Sequence, residues 1–167
     1  MALALEQVLA ALETERVRYL VVGGVAVVLH GHLRTTADLD LVVELAPENA
    51  RRAISALAKL GFRPRAPVAA EQFLDPRIRQ SWIEEKGLTV FSLWSDRLPD
   101  VEVDLFVKEP FEFEPVYARA VRVPLDTTTV SVVSLEDLIA LKRATARPID
   151  LADVEALRAI ASGKGEP

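Results

Sequence analysis

Two aspartates one residue apart, Asp38 and Asp40, are the side chains of this sequence best suited to chemistry. They lie in YLVVGGVAVVLHGHLRTTADLDLVVE, with thirteen residues between Asp38 and a paired glycine, Gly23-Gly24. The segment reads strand, glycine turn, short apolar helix, polar loop, then a second strand that opens with the acids. Residues i and i+2 of a strand point to the same side, so both carboxylates face one way. Like charges held that close repel unless something cationic lies between them. Hard divalent cations such as Mg²⁺ or Mn²⁺ take oxygen ligands, commonly one or two carboxylates together with substrate phosphates. A lone D-x-D is more often solvated surface. Here a third acid follows in PDVEVDLFV, where Val101, Val103, Leu105 and Val107 alternate with Glu102, Asp104 and Phe106. That alternation is a strand pattern with Glu102 and Asp104 on one face. If this strand lies beside the first acidic one, Asp104 completes a three-carboxylate metal platform.

In this ordered set of motifs the chain resembles the nucleotidyltransferase superfamily that shares the polymerase-β catalytic fold. Gly23-Gly24 matches its strand-helix turn, Asp38-Leu39-Asp40 its acid pair and Asp104 its third acid. His30-Gly31, Arg34-Thr35-Thr36-Ala37-Asp38 and the C-terminal SLEDLIALKRATARPIDLADVEAL look like the small branch of abortive-infection and toxin-antitoxin nucleotidyltransferases. The resemblance runs from about Tyr19 to Leu157. It implies an α/β (α+β) fold, with a central mixed β-sheet flanked by helices and closed by C-terminal helices. It also implies transfer of a nucleoside monophosphate from an NTP, ATP among them, to an acceptor hydroxyl on tRNA or a protein. Asp38 and Asp40 would ligate two Mg²⁺ (or Mn²⁺) ions, and Asp104 would bind the acceptor-side ion and help deprotonate the hydroxyl. Gly23, Gly24, Arg34 and Lys142 would bind the nucleotide, with Lys142 reaching the triphosphate as a point charge. Arg34 has a structural alternative, an ion pair with Asp38 or Asp40, and Lys142 has one as a helix-surface charge. Asp150 and Asp153 are candidates to hold Lys142 or Arg147. Many members carry a serine directly after the glycines or in place of the second; this chain has Val25 and Ala26. A non-catalytic nucleotide- or partner-binding module on the same fold, an antitoxin for example, therefore stands as the alternative.

Composition narrows the field from the other side. The 167 residues contain no cysteine, which excludes disulfides, zinc-thiolate sites and thiol catalysis. Two histidines, His30 and His32, cannot build a histidine-rich metal centre. A net charge of −5 argues against broad, non-specific nucleic-acid binding. Arg63, Arg65, Arg77 and Arg79 between the acidic strands still allow a local basic surface. No G-x-x-x-x-G-K-[ST] occurs, so a P-loop NTPase is excluded. With no leader-like start and no apolar run near the roughly 20 residues of a membrane span, the expectation is a soluble, cytoplasmic protein.

The elements that must position the acids follow from periodicity. One domain is expected over 1–167, with a core at about 17–133 and a helical segment at about 134–161. Leucines and alanines at helical spacing predict a first helix from Leu3 to Val17. Tyr19 to Val22 reads as a buried strand, Val25 to His30 as a short apolar helix ended by Gly31, and Asp38 to Glu44 as the acidic strand. His30 reads as a packed, hydrogen-bonded residue and not a base. Pro47 opens a helix that Gly61 stops. Phe62 to Trp82, with Pro64, Pro67 and Pro76, reads as loops with a short strand. Leu88 to Trp94 and the Asp104 strand are expected to form a hairpin, and Val121–Leu125 and Val130–Val133 two short strands. Ser134 is placed to cap a helix, Pro148 to stop or kink it, and Asp150 to Ile160 to form the last helix. Gly163 onward is expected to fray.

Overall fold

The structure is a computed structural model that describes residues 2–164. Its strands are β1 (Tyr19–Val22), β2 (Asp38–Val43), β3 (Arg63–Pro64), β4 (Val90–Trp94), β5 (Glu102–Phe106), β6 (Val121–Pro124) and β7 (Thr129–Val132). Its helices are α1 (Ala2–Thr14), α2 (Gly23–Leu29), α3 (Pro47–Lys59), α4 (Pro76–Lys86), α5 (Phe113–Ala118), α6 (Leu135–Thr145) and α7 (Pro148–Ala161). A 3₁₀ turn spans Ala70–Leu74.

The strands form one mixed sheet in the order β3-β4-β5-β2-β1-β7-β6. The β1–β7 and β2–β5 pairs are parallel and the others antiparallel. β1, Tyr-Leu-Val-Val, is buried along its whole length, as befits a strand covered on both faces. The strands on the other side of β2 alternate instead. Leu39, Leu41, Phe91, Leu93, Val103 and Leu105 are buried, while Asp38, Asp40, Ser92, Trp94, Glu102 and Asp104 all keep solvent contact. This half of the sheet thus has one covered face and one open face, and every candidate acid stands on the open one. α1 and α3 pack on each other, with α1 against β7 and α3 against β2. α2 packs on β1 and β2 and meets α6, which pairs with α7.

Several expected elements differ in detail. The first helix ends at Thr14, with Arg16 in a left-handed conformation. The expected β4–β5 hairpin is present, with β4 starting at Val90. In the stretch from Phe62 to Trp82, read as loops with a short strand, the strand is present as β3, and the rest carries the 3₁₀ turn and the start of α4. Asp75 caps α4 by accepting from the Arg77 backbone N–H, Pro76 occupies its first turn, and left-handed Gly87 ends it. Pro76 is a helix opener here, and Trp82 is buried and stacked on Phe91, which also stacks on Phe73. Arg79 is likewise buried and donates to the Phe73 carbonyl, so it leaves the candidate basic surface. At the C-terminus, left-handed Ala146 breaks the chain between the last two helices, and Pro148 begins α7 without kinking α6. Residues 165–167 of the segment expected to fray lie outside the described residues.

α2 starts at Gly23 itself, one residue after β1 ends, so the glycine pair forms the strand-to-helix turn. Gly23 has φ +67°, and a Cβ placed on it would sit 2.1 Å from Asp40 Oδ2 and 2.9 Å from Asp40 Cβ. Two costs therefore meet at this position, a left-handed backbone and a collision with a site carboxylate. Gly23→Ala should destabilise the fold by about 2 kcal/mol or more. In the Asp40→Ala background the carboxylate contact is gone while the Cβ contact at 2.9 Å stays, so the penalty should fall toward the backbone part of about 1–2 kcal/mol without reaching it. Urea melts of the four proteins of this cycle check it; equal penalties in both backgrounds would remove the collision from the account.

Candidate functional site

The register of the sheet brings the acids together. Across the parallel β2–β5 pair, Asp40 lies opposite Asp104 and Asp38 opposite Glu102. Asp40 is also paired with Val22 of β1, directly before the glycine turn. Asp38 is exposed, whereas Asp40 and Asp104 are part-buried. Burial and the neighbouring charges of Asp104 and Asp38 push the Asp40 carboxyl up to about 7, although Lys142 and Arg147 pull against that rise. Burial also raises Asp104, with a contribution from Asp38 and Glu102, against a lowering hydrogen bond from Ser92. Ser92 Oγ donates that bond to Asp104 Oδ1 at 2.6 Å. Among the described residues, neither Asp38 nor Asp40 has a side-chain hydrogen bond or ion pair. Among those residues, too, no three acidic, histidine or cysteine side chains converge as a ready-made metal cage.

The remaining sequence-predicted residues form a second cluster, contributed by α6, α7 and the loop before β2. Lys142 is only 5% exposed, so it is a buried cation and not a surface one. Its Nζ lies 3.3 Å from Asp150 Oδ1 and 3.0 Å from Asp153 Oδ2. Arg34 pairs with Asp153 and not with Asp38 or Asp40: Nε lies 3.0 Å from Oδ1, and Nη2 donates to Oδ2 at 3.2 Å. The reason is the position of Asp153, which faces the loop from the second turn of α7 and is itself 2% exposed. Arg147 donates from its side chain and backbone N–H to Asp150, which also accepts from Thr145. Burial alone would raise Asp150, but those donors and the Lys142 charge hold it below the usual carboxylate range. The cluster sets three cations against two carboxylates, and Lys142 and Arg147 are close enough to act on Asp40.

Gly24 sits between the two clusters. A Cβ there would lie 2.7 Å from Thr36 Oγ1 and 2.8 Å from Arg34 Nη2. The space vacated by both glycines is thus taken by Asp40, Arg34 and Thr36. His30 is a packed residue, with Nε2 2.7 Å from the Val133 carbonyl oxygen. The sequence does not single out Ser92 or Thr36. Ser92 could be reached only by fixing the register of the hairpin, and Thr36 only by knowing how the polar loop folds back over α2.

The fold and the open acidic face can now be set beside known proteins. A family model described as "Nucleotidyltransferase of unknown function (DUF6036)" matches residues 3–162. The chain belongs to that family. No curated protein matches it in sequence. Among solved structures it is similar to the lincosamide antibiotic adenylyltransferase LnuA with lincomycin bound, at 15% identity and a TM-score of 0.64, over 96% of this chain and 98% of that one. It is similar to ANT(2″)-Ia in complex with adenylyl-2″-tobramycin, at 18% identity and a TM-score of 0.60, over 96% and 87% of the two chains. A putative nucleotidyltransferase from Thermotoga maritima follows at 14% identity and a TM-score of 0.56, over 95% and 91%. At such identities the likeness establishes the fold of this DUF6036 protein. Among its described residues no helix is long and apolar enough to cross a membrane.

Two outcomes are expected from these charges. The folded Asp40 titrates near 7, above the ordinary 3.8, so the folded state holds its proton more tightly between those values. The stability this gives is present below about pH 4 and is lost as pH rises through 7. In EDTA, Asp40→Asn should therefore gain on the wild type between pH 4 and 8, by on the order of 2–4 kcal/mol. Comparing the two proteins cancels Asp150, whose lowered carboxyl has the opposite sign. A pH-independent difference would show that Asp40 is ionised throughout. Lys142→Ala should cost about 3–5 kcal/mol, because it strips a cation from two buried acids. Urea denaturation measures this, and a cost below about 1 kcal/mol would mean that the pairs behave as exposed ones.

Proposed function

We propose that this protein transfers a nucleoside monophosphate from an NTP to an acceptor hydroxyl, with Asp38, Asp40 and Asp104 holding Mg²⁺ or Mn²⁺. One observation carries the reading: Asp40 and Asp104 are register partners on an open sheet face, and among the described residues no cation of the protein contacts their carboxylates. An oxygen-only donor set of that kind fits a hard divalent ion, which needs only one or two carboxylates when substrate phosphates complete its shell. Such an ion, when bound, would neutralise the carboxylates and the charge that builds on the phosphates.

The chain's own groups divide the remaining work. Asp104, with its raised pKa, is suited to accept the proton of the acceptor hydroxyl. The acceptor oxygen bonds to the α-phosphorus as the bond to the β-phosphate oxygen breaks, and pyrophosphate leaves. Lys142 and Arg34 supply positive charge toward the triphosphate, and the Gly23-Gly24 turn supplies backbone N–H groups close to Asp40. Two lines bear on the acceptor. The lysine, arginine and D-x-x-D of the C-terminal helices support the abortive-infection or toxin-antitoxin branch, hence a tRNA or protein hydroxyl. The likeness to LnuA and ANT(2″)-Ia supports a small hydroxylated molecule instead. A cytoplasmic location suits an NTP-consuming reaction. The non-catalytic module remains the second reading, favoured by Val25 in the serine's place and by the pairing of Lys142 and Arg34 with Asp150 and Asp153.

Calorimetry with each of the four NTPs, with Mg²⁺ and with EDTA, tests the platform; nucleotide should bind tightly only with metal. Single-turnover transfer of α-labelled NMP to total tRNA, co-purified protein and a panel of hydroxylated antibiotics then tests turnover. Asp40→Ala and Asp104→Ala should abolish transfer by at least about 10²-fold while remaining folded. Equal affinity in EDTA would sink the metal platform. Metal-dependent binding without transfer to any acceptor would select the binding module.

A further inference from the structure

Ser92 lies outside every motif that points to nucleotidyl transfer, yet among the described residues it is the one side chain that bonds to Asp38, Asp40 or Asp104. It stands on β4 opposite Asp104, which stands on β5 opposite Asp40. The three side chains thus form one row across adjacent strands on the open face. Ser92 Oγ donates to Asp104 Oδ1 at 2.6 Å, the length of a charge-assisted O–H···O⁻ bond. Among the described residues it is the only side-chain hydrogen bond or ion pair that Asp104 makes.

We propose that Ser92 is the positioning residue of Asp104, fixing one carboxylate oxygen so that the other is presented to the metal and to the acceptor hydroxyl. The proposal rests on the transfer reading given above. Its mechanical basis is the stiffness of the strand that carries the hydroxyl. Phe91 and Leu93 on either side of Ser92 are buried, and Phe91 is stacked between Phe73 and Trp82 at centroid distances of 5.5 and 5.1 Å. The Ser92 carbonyl accepts from the Arg65 N–H at 2.9 Å, which ties β4 to the chain beyond β3. With the strand held in this way, the Ser92 hydroxyl has only its own rotation left, and the 2.6 Å bond to Asp104 uses it. The Asp104 carboxylate has no other side-chain partner among the described residues, and the like charges of Asp38 and Glu102 act on it. Without the donor, the low-energy response of that carboxylate is to turn away from them, and the third acid leaves the row. The sequence can supply this donor only through pairing, since the two residues stand twelve positions apart along the chain.

The test compares the wild type with Ser92→Ala and Ser92→Thr, because threonine keeps the Oγ and suits a strand. Losing an outer-shell partner of a ligating carboxylate costs roughly 10- to 100-fold. Ser92→Ala should lower kcat by that amount while the NTP dissociation constant, read by calorimetry, moves less than about twofold. Ser92→Thr should recover most of kcat. Crystal structures of the metal-free wild type and Ser92→Ala supply a readout independent of turnover, with Asp104 expected to leave its wild-type rotamer or to split between several. An Asp104 rotamer unchanged in Ser92→Ala overturns the proposal, as does a parallel fall in nucleotide affinity and kcat. If the wild type transfers to no acceptor, the transfer reading fails, and the Asp104 rotamer alone then decides what Ser92 does.

Discussion

The parallel pairing of β2 with β5 is the constraint on which the rest of the structure depends. It sets Asp40 directly against Asp104 and leaves two part-buried carboxylates on neighbouring strands. Backbone pairing fixes that distance, so neither acid can withdraw further than its own side chain allows. The electrostatic consequence is a carboxyl lifted to about 7, a cost that a fold selected only for stability would avoid. Strain of this kind gathers at functional sites, where the missing partner is supplied by a ligand. The surrounding structure holds the pair in place regardless. Buried Leu39, Leu41, Val103 and Leu105 alternate with the acids along the same two strands, and their burial offsets the repulsion on the opposite face.

The positive charge is arranged differently, as a closed network and not as isolated side chains. Asp153 receives both Lys142 and Arg34, and Asp150 receives Lys142 and Arg147. Buried ion pairs of this sort contribute little net stability, because desolvation cancels most of the attraction. What they do well is fix geometry, since each charge has one low-energy place to be. In this chain they join the two C-terminal helices to the loop that leads into β2. The same two helices therefore complete the core and set the cations beside the acids. A substitution at Lys142 disturbs the packing of both helices through Asp150 and Asp153.

Much of this was legible in the sequence, and for identifiable reasons. Strand alternation put Asp38 with Asp40 and Glu102 with Asp104, because a period of two fixes a face without any knowledge of neighbours. The glycine pair marked the strand-to-helix turn, and Ser134 marked the start of α6, where its hydroxyl accepts from the Asp137 N–H. Between Phe62 and Trp82 only the short strand was legible, and the helix that opens at Pro76 was not. The three prolines of this stretch read as loop punctuation, whereas Pro76 with Asp75 before it opens a helix. Arg34 offers the same lesson for the site: its sequence neighbours Asp38 and Asp40 are the obvious partners, but its ion pair is made 119 positions away.

What the sequence determined by itself is the chemistry available: three acids at strand spacing, a glycine turn, a lysine followed by D-x-x-D, and no thiol. Those follow from residue types and short-range periodicity, which act within a few positions of the chain. Only the tertiary structure decided which of them meet. The register of β2 on β5, the hairpin that sets Ser92 against Asp104, and the burial of Lys142 between Asp150 and Asp153 all depend on how separate elements pack. Local preference cannot encode such meetings, because the free energy that selects them comes from burying apolar faces shared by residues far apart in sequence.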